Sequence, residues 1–299
     1  MRSLPLLLLL TTAVVCGPKE IIDFIAEQNR KYKERKVTWK ARLNDGVTWD
    51  NLEKMKNRLG AHKDMKNHPK FNHFNGTNPG ADLKRRMQTA TTYPTTFDVR
   101  TKYSKCWSPS FIRNQGGCGT CWAVAGASAI SDSHCIQNYN LVNGTGFSQK
   151  MMSEEDVIEV CPPEFCGVGS NTCNGGGYLD GPFLHSFKYG ISTGANYGNN
   201  TFCKPYLIAP TGTPTISTFT NSSKCNQYYT AKTYYADKYK IVSYTYFYGQ
   251  TPQTMETNFI AALNLYGPII VYIDVFECFF YYGGGVYQRK RSIYYGGHA

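Results

Sequence analysis

The chain has 299 residues, a formal charge of +11 and 11 cysteines. That length supports one large or two modest domains with a sizeable core. The charge does not mark a nucleic-acid binder. Residues 17 to 92 hold 17 Lys and Arg against 9 Asp and Glu, whereas residues 93 to 299 hold 14 against 12. The basic excess sits on an acid-sprinkled, helix-like stretch and reads as a solvated face.

The N-terminus, "MRSLPLLLLLTTAVVCG", places Arg2 before an apolar run from Leu6 to Val15 that only Thr11 and Thr12 interrupt, with Cys16 and Gly17 after it. This is the pattern of a secretory signal peptide over residues 1–16. The run is too short for a membrane span, which takes about 20 apolar residues, and no later stretch is long and apolar enough. The expected destination is the secretory pathway, ending in a lysosome or vacuole or outside the cell. There cysteines pair. Sequons at Asn75, Asn143, Asn199 and Asn221 fit that route.

Residues 18 to 60 read as two helices. "KEIIDFIAEQNRKYKERK" puts Ile21, Phe24, Ile25 and Tyr32 on one face. "TWDNLEKMKNRLG" offers Thr48 as a cap, a stripe of Leu52, Met55 and Leu59, and a stop at Gly60. Residues 61 to 92 are polar and aperiodic, with a basic run at Lys84 to Arg86, and read as a linker open to proteolysis. From Tyr93 onward cysteine, glycine and aromatics are dense. Helices are expected after Cys121, near Glu154 to Val160, and from about Tyr178 to Lys188. Residues 190 to 230 are loop-rich. "KIVSYTYFYG" and "PIIVYIDVF" beyond Tyr239 read as strands. Helices first and strands later imply an α+β protein in two lobes.

The stretch "QGGCGTCW", Gln115 to Trp122, carries the chemistry. Cys118 and Cys121 have three readings. A redox dithiol wants βαβ surroundings, which are missing. A zinc site wants a second close pair of ligands, and Cys161, Cys166 and Cys173 are badly spaced for it, so no metal is expected. The third reading makes Cys121 a nucleophile at the start of the Ala-rich helix, where the helix dipole favours a thiolate. Gln115, on the glycine-rich loop, then supplies a side-chain N–H, and the Cys121 backbone N–H completes an oxyanion hole.

On these residues the chain resembles the papain-like cysteine peptidases, and within them the cathepsin B-like enzymes. "CNGGG" at Cys173 to Gly177 resembles the family's substrate-binding turn, and "GGHA" at Gly296 to Ala299 the segment that carries its catalytic histidine. "YPTTFDVR" from Tyr93 resembles the mature N-terminus, and "VTWKA" from Val37 the short propeptide. "SDSHCIQN", "CKPYLI" and "GGGVYQ" also fit. The resemblance implies a papain-like two-lobe fold, with a helical left lobe and a β-rich right lobe. It implies a zymogen with a propeptide over 17–92 that acts as its own inhibitor and a peptidase domain over 93–299. It further implies peptide or protein substrates bound at Gly175, Gly176, Trp122 and Gly297, a monomer, and no cofactor. Two disulfides follow from it, Cys106–Cys135 and Cys118–Cys173. Cys161–Cys166 and Cys203–Cys225 are then favoured, although sequence does not fix the pairing among those four. Cys278 is left over, either a buried free thiol or half of an intermolecular bond.

The general base also follows by elimination among six histidines. His62, His68 and His73 lie in the expected propeptide. His134 is on the same helix as Cys121, about 20 Å along it. His185 sits among Phe183, Leu184 and Phe187 and reads as a satisfied core histidine. His298 remains, as base and later acid, and with Cys121 it is expected to rest as thiolate and imidazolium.

Two departures from the pattern matter. Cathepsin B-like enzymes hold a substrate's C-terminal carboxylate with paired histidines on an inserted loop. The corresponding Lys204 to Lys224 has no histidine, so endopeptidase action is expected. The chain also stops one residue after His298, before the asparagine and closing strands that the resemblance calls for. It is therefore read as incomplete in its right lobe. The competing readings are an inactive relative kept as a scaffold and a thiol–disulfide oxidoreductase.

Overall fold

Helix α1 (Pro18–Lys33) turns its buried face toward strand β1 (Trp39–Ala41). The computed structural model to which these elements belong describes residues 18–45, 47–48, 51–63, 93–142, 147–167, 169–211, 219, 222–245, 247, 251–289 and 293–299. The expected signal peptide, the sequons at Asn75, Asn143 and Asn221, and the Lys84–Arg86 run lie outside the described residues. Among the described residues no helix is long and apolar enough to cross a membrane.

The chain divides into two compact units. The first is residues 1–53 with 275–295, and the second is residues 54–274 with 296–299.

In the first unit β1 pairs antiparallel with β3 (Tyr282–Gly285), Trp39 opposite Gly285. Gly285 is at φ +97°, and a Cβ there would lie 2.3 Å from the Thr38 carbonyl, so only glycine lets the strands close. Trp39 is fully buried among Phe24, Tyr282 and Tyr287. The helix meets the strand through amides. Gln28 Nε2 donates to Trp39 O at 2.8 Å, and Asn29 both donates to Ala41 O and accepts from Ala41 N at 2.9 Å. Here the periodicity reading needs correction. Ile21 is buried as expected, but Tyr32 is exposed and Gln28 is buried instead. The strand edge offers unpaired backbone groups that an amide satisfies and a tyrosine ring does not.

The expected second helix is one turn, α2 (Leu52–Met55), followed by a 3₁₀ turn at Lys56–Arg58.

The second unit is built on α4 (Cys121–Gln137), which follows the short α3 (Val99–Lys102). Its alanines and Gly126 admit close neighbours. A Cβ on Gly126 would lie 2.5 Å from Pro182 of α7 (Gly181–Lys188). Helices α5 (Glu154–Val160) and α7 pack on α4, with α6 (Pro163–Cys166) beside α7. Trp122, Ala127, Ile130, Met152, Val157 and Ile158 are among the residues of the main core. The disulfides are Cys106–Cys135, Cys118–Cys173, Cys161–Cys166 and Cys203–Cys225. In the first unit Cys278 is buried, with its sulfur 2.9 Å from the Tyr287 hydroxyl.

The later region carries fewer strands than its composition suggests. Within residues 268–276 the strand is β2 (Ile273–Phe276), which pairs with β4 (Tyr294–His298). The described part of "KIVSYTYFYG" is not a strand. Ladder pairing there ends at Tyr239, whose backbone exchanges two 2.8 Å hydrogen bonds with Ile191, while Ile241 and Tyr244 pack on the core. Alternating apolar residues bury a face, but a strand also needs a partner for its backbone. Between these segments lies a helix the β reading missed, α8 (Pro252–Tyr266). Its signals are in the sequence: the Thr251 hydroxyl accepts from Thr254 N, Pro252 opens the first turn, and Gly267 closes it at φ +98°.

Candidate active site

Cys121 is the first residue of α4, 1% exposed, and a free thiol. No acidic residue occupies the first turn, and Thr120 before it makes no side-chain cap. The positive end of the helix dipole is therefore left to the sulfur. Cys118 is bonded to Cys173 rather than to Cys121, which removes the dithiol on which an oxidoreductase reading depends.

The loop ahead of Cys121 is held at several points. Asn114 Oδ1 accepts from Gly116 N at 2.9 Å, with Gly116 at φ +63°. Gln115 Nε2 donates to Cys118 O at 2.7 Å. Gly119 N donates to Cys173 O at 2.8 Å. The loop and the Cys173–Gly177 turn are thus one rigid piece, with the Trp122 ring beneath it. A Cβ on Gly177 would lie 2.5 Å from that ring. Trp122 is fully buried in the core. It supports the turn, and its backbone reaches the Cys121 sulfur.

Residues 58–62 cross this surface, leaving the 3₁₀ turn at Arg58 and extended from Leu59. Gln115 Nε2 donates to Arg58 O at 2.7 Å. Gly177 N donates to Gly60 O at 2.7 Å, and His62 N donates back to Gly177 O at 3.0 Å, making a parallel bridge at Ala61. Ala61 N donates to Gly297 O at 3.3 Å. The fit is close: a Cβ on Gly60 would lie 1.9 Å from Gly119 O, and one on Gly297 would lie 2.4 Å from Ala61 O. His62 Nε2 stands 2.9 Å from Gly175 O, its ring edge-on to Tyr178 at 5.1 Å. Lys63 pairs with Asp274 at 2.9 Å.

Sequence reasoning named Gly175 and Gly176 for the backbone pairing and missed Gly177 and His62. The signal for Gly177 was its place at the end of the glycine run. Gly176, at φ +65°, makes the bend, and a Cβ there would lie 2.4 Å from Gly60 O.

His298 ends β4, and the backbone of Ala299 hydrogen-bonds the Cys121 sulfur together with the backbones of Gly60 and Trp122. In this covered state burial acts on both Cys121 and His298. Burial pushes the Cys121 thiol up, against those backbone hydrogen bonds. Burial likewise pushes His298 down, against a hydrogen bond to the Arg58 backbone. Both shifts favour neutral groups, because the segment over them excludes the water that would solvate an ion pair. His134 stacks on Phe147. His185 is buried as expected, but its ring nitrogens make no hydrogen bond among the described residues, and Asp156 Oδ2 is 4.0 Å away. Burial lowers its pKa to about 4. Among the described residues no group of His, Cys, Asp and Glu could hold a metal.

With this geometry in view, residues 93–299 match the family described as papain family cysteine protease, and the chain belongs to that family. Its relatives place it near the cathepsin B-like members. It is 31% identical over 274 residues to cathepsin B-like cysteine proteinase 4 of Caenorhabditis elegans, covering 87% of this chain and 73% of the relative. It is 35% identical over 219 residues to cathepsin B-like cysteine proteinase 5 of the same organism, covering 69% and 60%. The chain spans 52% to 60% of the length of three further matches together with that one. In fold it is similar to procathepsin B S9 from Trypanosoma congolense, with a TM-score of 0.67 at 22% identity over 96% of this chain and 82% of the other. Procathepsin L 3 of Tenebrio molitor gives 0.55 at 18% identity over 93% and 72%.

Proposed function

We propose that the chain is the zymogen of a cathepsin B-like endopeptidase. Residues 1–16 are its signal peptide, 17–92 its inhibitory propeptide and 93–299 its peptidase domain, acting as a monomer in the secretory pathway and its lysosomal or extracellular destinations. The observation that carries this reading is the passage of residues 58–62 over Cys121. There a peptide carbonyl, Arg58 O, accepts the Gln115 amide, while Gly177 pairs with Gly60 O and His62 N and Gly297 O accepts from Ala61 N. A surface that binds a peptide main chain beside a buried thiol is suited to a peptide substrate.

Once the propeptide is cut, water returns and His298 takes the Cys121 proton. The thiolate adds to the scissile carbonyl carbon, and the oxyanion is held by Gln115 Nε2 and the Cys121 backbone N–H. The C–N bond breaks as His298 returns the proton to the leaving amine. Water, deprotonated by His298, then releases the acyl group. The lack of histidine in Lys204 to Lys224 supports internal cleavage over carboxypeptidase action.

The test is hydrolysis of a fluorogenic peptide amide by the full protein before and after cleavage of the propeptide. Activity should appear on cleavage and fall on the order of a thousandfold or more in Cys121→Ser. Equal activity in that variant would end the proposal.

A further inference from the structure

Gln115 is held by more than its own loop. The Tyr206 hydroxyl donates to the Gln115 carbonyl at 2.8 Å. The same hydroxyl lies 2.6 Å from Thr120 Oγ1, and since its one proton is already given, Thr120 must donate to it. One phenol oxygen therefore ties the residue that carries the oxyanion donor to the residue just before the nucleophile. Both Thr120 and Tyr206 are buried, at 0% and 2% exposure.

Tyr206 is itself firmly placed. Lys204 N donates to Thr193 O at 2.9 Å and Tyr206 N to Ala195 O at 2.8 Å, so the segment runs as a short ladder after the Cys203–Cys225 bridge. Leu207 N donates to Glu155 Oε2 at 3.1 Å. A second contact closes the same approach: a Cβ on Gly116 would lie 2.4 Å from Ala209 O. The loop that carries Gln115 thus sits against residues 206–209 and has no slack on that side.

We infer that Tyr206 is a positioning residue, which fixes the Gln115 amide relative to Cys121 so that the oxyanion hole is preformed. Its contact is with the backbone of Gln115 and not with substrate. Misplacement of a donor by a fraction of an ångström weakens it in the transition state while leaving ground-state binding alone. The inference depends on the function proposed above, so its test must separate the two.

The variants are Tyr206→Phe, Gln115→Ala and both together, made in the full protein and assayed after propeptide cleavage. Two rates are read: hydrolysis of a peptide amide, and alkylation of Cys121 by iodoacetamide across pH. Alkylation uses the thiolate but no oxyanion hole. Tyr206→Phe should lower kcat about tenfold with KM little changed, and its alkylation profile should superimpose on that of the parent. Gln115→Ala should lower kcat about a hundredfold, and the double variant should be no slower than Gln115→Ala alone. If Tyr206→Phe fails to fold, Thr120→Val, which leaves the Tyr206–Gln115 bond without its support, should lower kcat two- to threefold on the same logic, roughly. Unchanged kcat, or equal losses in hydrolysis and alkylation, would overturn the positioning role. Full activity in Gln115→Ala would instead overturn the proposed oxyanion hole.

Discussion

Helices α4 and α5 pack on each other in the same unit, yet their first turns are opposites. Helix α4 opens with Cys121, no acidic residue and no side-chain cap. Helix α5 opens with Glu154, Glu155 and Asp156, all buried, under a Ser153 cap that accepts from Asp156 N. Each α5 carboxylate with a cation has a fixed one: Arg113 for Glu154, Lys238 at 2.5 Å for Asp156, and Lys204 for Glu159 in the following turn. Burial would raise Asp156, but Lys238 and His185 bring it below the usual carboxylate range. The same dipole stabilises structure at one helix and is left open for chemistry at the other. A carboxylate fixed by a buried cation is held in place, whereas among the described residues the Cys121 thiol meets only backbone groups, those of Gly60, Trp122 and Ala299, and has no such countercharge.

The structural half of this contrast breaks with Glu154→Gln, which leaves Arg113 buried without its carboxylate. Loss of one partner of a buried pair costs about 3–5 kcal/mol, read as a fall in the urea midpoint. A third helix start sharpens the comparison. Asp180 stands at the N-terminal boundary of α7 without a side-chain cap bond and is buried, and that burial raises its pKa to about 7. Unfolded, it titrates near 3.9. Its ionisation is therefore easier in the unfolded chain. Stability is intact below about pH 4 and is lost as pH climbs from there to about 7, by roughly 2–4 kcal/mol. Asp180→Asn should be more stable than the parent at pH 7.5 and equal to it near pH 4, in urea titrations at the two pH values. At the weak end stands Arg30, which pairs with Glu27 and Glu34 on the exposed face of α1. Arg30→Ala should leave the thermal midpoint unmoved, because exposed pairs are solvated in both states.

The surroundings of Cys121 were legible in the sequence because they are local. Gln115, the glycines and the start of the Ala-rich helix lie within a few residues of Cys121. The partners of α5 were not legible, since Arg113, Lys204 and Lys238 approach from distant segments and a run of Glu and Asp looks like a solvated face. Gln28 was misjudged for a related reason: its value lies in a strand carbonyl eleven residues on. The false strand at "KIVSYTYFYG" came from reading burial as pairing. The cover over Cys121 was not legible, because nothing in its own segment reports that residues 58–62 lie over it.

The cover over Cys121 is the centre of the account, and the most direct measurement is the pH profile of Cys121 alkylation before and after propeptide cleavage. The account predicts slow alkylation of the intact protein that rises only in the alkaline range. After cleavage it predicts fast alkylation already level across about pH 5 to 7, as for a thiolate stabilised by an imidazolium. Superimposable profiles before and after cleavage would contradict it.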